Sequence, residues 1–273
     1  MNGTDTFIAR YDLNGNYVWS QSISGTNTQY ATAIDESGGQ LFVCGATYSN
    51  ITFIGSPDIT DSSIGFKDYW VAGFSKTDGQ VNWAKLSEGP ATEEARGITA
   101  DSGSVFITGQ HYWMTVDSNS ISSNGLSDCF VIEYDLSGNL TNYWSEGGSG
   151  WDGGNDLVID SDGELFVTGS FSGTVTFGGT ETVTAVGSVD VFLIKYDPVG
   201  ALDWLSTIVS SGLVLSNTLA VNANQRLVGA GYFMISDLSI NLQSGVTTQP
   251  FDGSTDMWLV HHNDCSRFTD SCY

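Results

Sequence analysis

Glu93 and Glu94 are the one pair of neighbouring glutamates in this sequence, and two carboxylates are what a glycoside hydrolase needs for its acid and base. Charged loop residues are common, so the pair counts first as a ligand-binding candidate. Tyr112 and Trp113 form a second candidate. Trp151, Asp152 and Asp156 in the run Trp151-Asp152-Gly153-Gly154-Asn155-Asp156 form a third. Aromatics beside carboxylates suit sugar or peptide recognition, and the competing reading is that Tyr112 and Trp113 only cover the end of a sheet. Asp160, Asp162 and Glu164 begin a calcium loop, with oxygen ligands at alternate positions but without the later ligands of a complete one. No cofactor is therefore expected, and calcium is the alternative. His261 and His262 are adjacent in an extended run, so they face opposite ways and make no metal pair. There is no Gly-x-Ser-x-Gly elbow, His-Glu-x-x-His helix or phosphate loop. An enzyme is not expected.

These residues hang on a repeated unit. Asp5, Asp68, Asp128, Asp190 and Asp256 each stand shortly after a glycine, and they recur every sixty or so residues, a period that means a repeat architecture. An apolar strand follows each aspartate, then a turn such as Asp135-Leu136-Ser137-Gly138-Asn139, then Trp19, Trp83, Trp144 or Trp204 on the returning strand. Two further strands complete the unit, the last reading Leu41-Phe42-Val43-Cys44-Gly45, Val105 to Gly109, Leu165 to Gly169 and Leu227 to Gly231. The long connection to the next aspartate holds an extra hairpin at 174–177 and 181–185. Four antiparallel strands per unit predict an all-β fold, a β-propeller of four-stranded blades, as one domain over 1–264 with a tail over 265–273. The aspartates are expected to cap turns, and the tryptophans to pack between blades.

The pattern Asp-x-Phe-Ile/Val-x-Lys-Tyr-Asp-x-x-Gly-x-x-x-Trp, with its Asp-x-x-Gly turn and Phe-Val-Thr-Gly strand, resembles the bacterial β-propeller repeat of secreted and cell-surface proteins. The best copies are residues 128 to 187 and 190 to 204. Copy four departs, with Asn222-Ala223-Asn224-Gln225 in the turn. The resemblance implies a scaffold and an extracellular or surface location, with no activity attached.

Five Gly-x-x-Asp strands stand against four of each other kind, which is about four blades plus one extra strand. The first hairpin, from Asp5 to Ile23, is expected to join the inner hairpin from Thr218 to Gly231 and close a ring; the strand from Met257 to Val260 then lies outside. The alternative is an open form completed by another chain.

Eight Lys and Arg against 31 Asp and Glu leave a net charge of -23, which excludes nucleic acid and anionic lipid as partners. No run is long and apolar enough for a membrane helix. Residues 1 to 20 show no secretion signal, and the chain enters in mid-repeat, as a trimmed product would. Cys44 and Cys129 fall in strands; Cys265 and Cys272 are expected to form a local disulfide in the tail. The expected partner is a protein or further copies of this chain, with a glycan as the alternative.

Overall fold

The computed structural model describes residues 3–55, 58–61, 66–224, 226–234, 237–242, 245–249 and 255–263. Cys265 and Cys272 lie outside the described residues. Among the described residues every regular element is a strand. In chain order they are β1 (Thr6–Tyr11), β2 (Tyr17–Gly25), β3 (Gln29–Ser37), β4 (Gln40–Thr47), β5 (Ile51–Phe53), β6 (Ile59–Asp61), β7 (Asp68–Ser75), β8 (Val81–Leu86), β9 (Glu93–Ala100), β10 (Ser104–His111), β11 (Trp113–Val116) and β12 (Asn119–Ser122). There follow β13 (Asp128–Asp135), β14 (Leu140–Gly148), β15 (Gly153–Ile159), β16 (Leu165–Phe171), β17 (Thr174–Phe177), β18 (Glu181–Thr184), β19 (Asp190–Tyr196), β20 (Leu202–Val209), β21 (Leu213–Val221), β22 (Arg226–Met234), β23 (Leu238–Leu242), β24 (Gly245–Gln249) and β25 (Asp256–Asn263).

The strands form the four-stranded antiparallel blades of a β-propeller. One sheet runs β3-β4-β7-β8 and another β15-β16-β19-β20 with β23-β24 added. A third runs β9-β10-β13-β14-β17-β18. The chain divides into two compact units, residues 1–123 with 130–145, and residues 124–129 with 146–273; the division falls within β13 and β14.

In the first unit one core joins Phe42, Tyr69, Val71 and Trp83 to Ile107, Phe130, Ile132 and Tyr134, and a second joins Ile8, Trp19 and Ile23 to Phe53, Trp70 and Phe74. In the second unit Val191 and Ile208 cluster with Trp258 and Val260, and Phe166 and Leu193 with Trp204 and Leu219. Such near-continuous apolar strands are covered on both faces.

The turns at Asp12, Asp135 and Asp197 are each built by their first residue. Asp135 Oδ1 accepts the Ser137 and Asn139 amides at 2.8 and 2.9 Å. Gly138 supplies the positive φ, 81°, that the turn needs, and its missing side chain leaves room for the Trp83 ring, which a Cβ would meet at 2.5 Å. The Trp83 indole then donates to Leu136 O at 3.0 Å. Trp19 does the same to Lys76 O at 3.0 Å. The tryptophan of one repeat is thus bolted to the turn of the next. The turn before the Phe-Val-Thr-Gly strand is built in the same way by Asp160, and copy four keeps it with asparagine: Asn222 Oδ1 accepts Asn224 N and Arg226 N at 2.9 and 3.1 Å.

The hairpin expected once occurs in all four long connections. Each reaches back to the tryptophan-bearing strand of its own repeat: β5 pairs β2, β17 pairs β14 at Gly147 and Gly148, and β23 pairs β20. The β11 strand meets the end of β8 through a Glu88–Thr115 bridge. These hairpins cover sheet edges that would otherwise invite association.

The expected end arrangement is corrected. In the second unit β22 pairs β25 throughout, from Arg226↔Asn263 to Phe233↔Asp256, and the sheet is β21-β22-β25. The Met257 to Val260 strand therefore lies inside a sheet, in the place assigned to the first hairpin. That hairpin pairs with β5 in the sheet β1-β2-β5-β6. The physical reason is register: each second strand of a blade pairs with the Gly-x-x-Asp strand that follows it in the chain, and β25 is the one that follows β22.

Candidate functional site

Each innermost strand carries a β-bulge at the same point. Pairing skips Thr32 in β3 and Arg96 in β9 in the first unit, and Asn155 in β15 and Asn217 in β21 in the second. A bulge pushes one carbonyl toward the partner strand. The glycine that ends each Phe-Val-Thr-Gly strand receives it. A Cβ would meet Tyr30 O at 2.0 Å from Gly45, Glu94 O at 1.8 Å from Gly109, Gly153 O at 2.2 Å from Gly169 and Leu215 O at 2.0 Å from Gly231. The bulged side chains then reach sideways. Thr32 Oγ1 donates to Ala95 O at 2.8 Å, and Asn155 Nδ2 donates to Ser216 O at 3.0 Å.

In the first unit the bulge gathers charge around Glu94. Its carboxylate accepts from Tyr30 OH at 2.5 Å and is paired with Lys67 at 3.2 Å and Arg96 at 3.3 Å. Lys67 Nζ also lies 5.9 Å from the Tyr48 ring centre. Burial alone would raise the Glu94 pKa, but the Tyr30, Arg96 and Lys67 donors outweigh it and hold it below the usual value. Burial first, then the bond to Glu94, pushes the Tyr30 hydroxyl far above its ordinary range. Glu93 points the other way along the strand and is fully buried. Its environment is opposite: burial first, and then the nearby Asp68 carboxyl, push it up to about 9. His111, opposite Glu93 in register, is buried, bonds Ser145 Oγ through Nε2 at 2.7 Å and is pushed by burial down to about 4.

This end exposes apolar side chains beside polar ones such as Glu88. The segment before β7 runs parallel to the lead into β9, through a Lys67–Thr92 bridge, and leaves Phe66 exposed; Trp113, just after His111, is exposed as well, and Tyr112 is half-buried.

The second unit repeats the device. A Ser127–Trp151 bridge ties the lead into β13 to the lead into β15, and Leu126, Trp151 and Val186 are exposed. The acids beneath them are held by backbone amides. Asp152 accepts Gly148 N at 2.8 Å and Ser172 N at 3.0 Å, and burial nevertheless pushes it up to about 6. Asp128 accepts Asn124 N at 2.9 Å; Asp190 accepts Ser210 N at 3.0 Å and Gly187 N at 3.2 Å. Asp5, in the first unit, accepts Gly25 N at 3.3 Å. Asp156 binds Leu219 N at 2.8 Å and Thr218 Oγ1 at 2.9 Å, clamping β15 to β21.

Of the sequence candidates, Glu93, Glu94, Tyr112 and Trp113 gather at the loop end of the first unit, and Trp151 and Asp152 at that of the second. Asp156 sits further along its inner strand. The glutamate pair does not converge, because neighbours in a strand face opposite ways. Asp160 Oδ1 accepts the Asp162 and Glu164 amides at 2.8 and 2.9 Å, and Glu164 pairs with Lys195, a fully buried lysine, at 3.0 Å. Among the described residues no group of three ligating side chains is poised for a metal. Sequence reasoning gave Lys67 and Arg96 no role and placed His111 only in a loop with Tyr112 and Trp113. One signal was available: Lys67 is the single cation at its repeat position, against Thr4, Ser127, Val189 and Thr255.

Comparison with known proteins gives no matching family model. The chain is 23% identical over 158 residues to an uncharacterized WD repeat-containing protein of Acanthamoeba polyphaga mimivirus, a match over 53% of this chain and 11% of that protein. Among solved structures it resembles the quinohemoprotein alcohol dehydrogenase ADHIIG of Pseudomonas putida HK5, at 8% identity and a TM-score of 0.44, over 87% of this chain and 47% of that one. The chain thus spans about a tenth of the viral protein's length and about half of the dehydrogenase's.

Proposed function

We propose that this chain is a non-enzymatic β-propeller scaffold that holds a protein partner at its loop ends. One observation carries the reading: at the loop end of each unit large apolar side chains stand exposed among polar ones, Phe66 and Trp113 in the first and Leu126, Trp151 and Val186 in the second. Rigid, exposed apolar groups rimmed by polar ones are what protein recognition uses. The polar residues beneath are spent on the scaffold, as amide acceptors, clamps and ion pairs. In this reading the scaffold needs no bound cation, and calorimetry with calcium gives no heat. The work is done outside the cell or at its surface, as the repeat's likeness to bacterial secreted repeats implies, so protease treatment of intact cells digests the protein.

Photo-cross-linking tests the partner. Benzoylphenylalanine in place of Phe66 or Trp151, on purified chain added to cells of the source, should capture the same discrete polypeptide, while the probe at Leu13, exposed in the turn at the opposite end of the first unit, should not. Equal labelling from all three positions, or none, contradicts the reading. A carbohydrate-binding role is favoured by Trp113 and Trp151, whose exposed rings could stack on a sugar. A glycan array bound by wild type and not by W151S would establish it.

A further inference from the structure

The repeats pack on one another by a rule of strand parity. Within the first unit Ile8, third after Asp5, shares a core with Trp70 and Ala72, second and fourth after Asp68. Tyr69 and Val71, first and third after Asp68, share one with Phe130 and Ile132, second and fourth after Asp128, and the Tyr69 and Phe130 ring centres lie 5.4 Å apart. Within the second unit Val191, first after Asp190, meets Trp258 and Val260, second and fourth after Asp256. At these three junctions the first-and-third face of one repeat thus takes the second-and-fourth face of the next.

Two such faces are open, one of each kind. Met257 and Leu259, first and third after Asp256, are 88% and 72% exposed, where Tyr69, Val71 and Val191 are buried. Ala230 and Tyr232 stand directly opposite Leu259 and Met257 in register and are half-buried, which widens this face onto β22. At the other terminus Phe7, second after Asp5, is 74% exposed, where Trp70, Phe130 and Phe192 are fully buried. Both strands are otherwise anchored, β25 by Trp258 and Val260 and β1 by Ile8. The open faces are the two halves of the interface that the chain makes with itself from repeat to repeat.

We propose that the β25 face of one copy of this chain takes the β1 face of a second copy, Met257 and Leu259 packing against the second copy's Phe7 and Ala9. The contact continues the interface already repeated inside the chain. It joins unlike faces, so it is heterologous and grows head to tail. It uses sheet faces and is separate from the loop ends, so either reading can fail alone.

Sedimentation velocity over a concentration series tests this with two variants, F7D and L259D, with M257K as a second lesion on the β25 face. Each site is exposed, so the fold should persist, as circular dichroism would verify. Wild type should form dimers and longer oligomers as concentration rises, and each variant alone should lose them. An equimolar mixture of F7D and L259D should form a one-to-one dimer and stop there, because the mixture holds one intact face of each kind. A wild type that stays monomeric, variants that associate like wild type, or a mixture that stays monomeric would each overturn the proposal.

Discussion

Glu93 and Glu94 are one peptide bond apart and live in opposite electrostatic surroundings. Glu94 is met by a hydroxyl and two cations; Glu93 is fully buried against Asp68. Strand alternation does this, and it was readable from the sequence once the pair was placed in a strand instead of a loop. With its pKa near 9 in the folded protein against an ordinary 4.5, Glu93 keeps its proton longer when folded than unfolded. Stability therefore falls as pH rises through that window, because the folded state must give up a proton it holds tightly. His111, held neutral by burial down to about 4 against an ordinary 6.5, acts in the opposite sense: its contribution is lost as pH falls. E93Q should raise the thermal midpoint more at pH 9 than at pH 5 and flatten its slope between them. Parallel curves for variant and wild type would refute the placement of this acid.

At the scale of elements, the repeat glycines and the hairpins decide most. The Gly that ends each Phe-Val-Thr-Gly strand was visible as a repeated residue, but its cause was not, since a bulge on the partner strand leaves no mark in the strand that must accommodate it. A Cβ at Gly169 would also meet the Phe192 ring, at 2.4 Å. Neither the backbone nor a buried ring yields cheaply, so G169A should cost about 2–3 kcal/mol in denaturant unfolding. The hairpin at residues 174–184 was legible from its alternation. Its partner was not, because the pairing of the hairpin with the tryptophan strand some thirty residues earlier is fixed by tertiary packing. Phe177 is buried there, its ring centre 4.9 Å from that of Phe192. F177A should cost about 3–5 kcal/mol, whereas a hairpin that merely decorated the surface would tolerate it within a few tenths.

At the scale of the molecule, the period, the four-strand unit and the blade class followed from aspartate, glycine and tryptophan spacing. The pairing at the chain's end did not, because counting strands by type cannot say which of two equivalent strands takes a shared place. The central claim is the parity rule, since it sets the cores within each unit and leaves the two open faces. Interproton contacts measured by NMR on the intact chain test it most directly. The rule predicts cross-peaks between the Tyr69 and Phe130 rings and between Val191 and Trp258, with none between Trp70 and Phe130. A Trp70–Phe130 contact in their place would mean that the blades meet through the opposite faces, and would contradict the account.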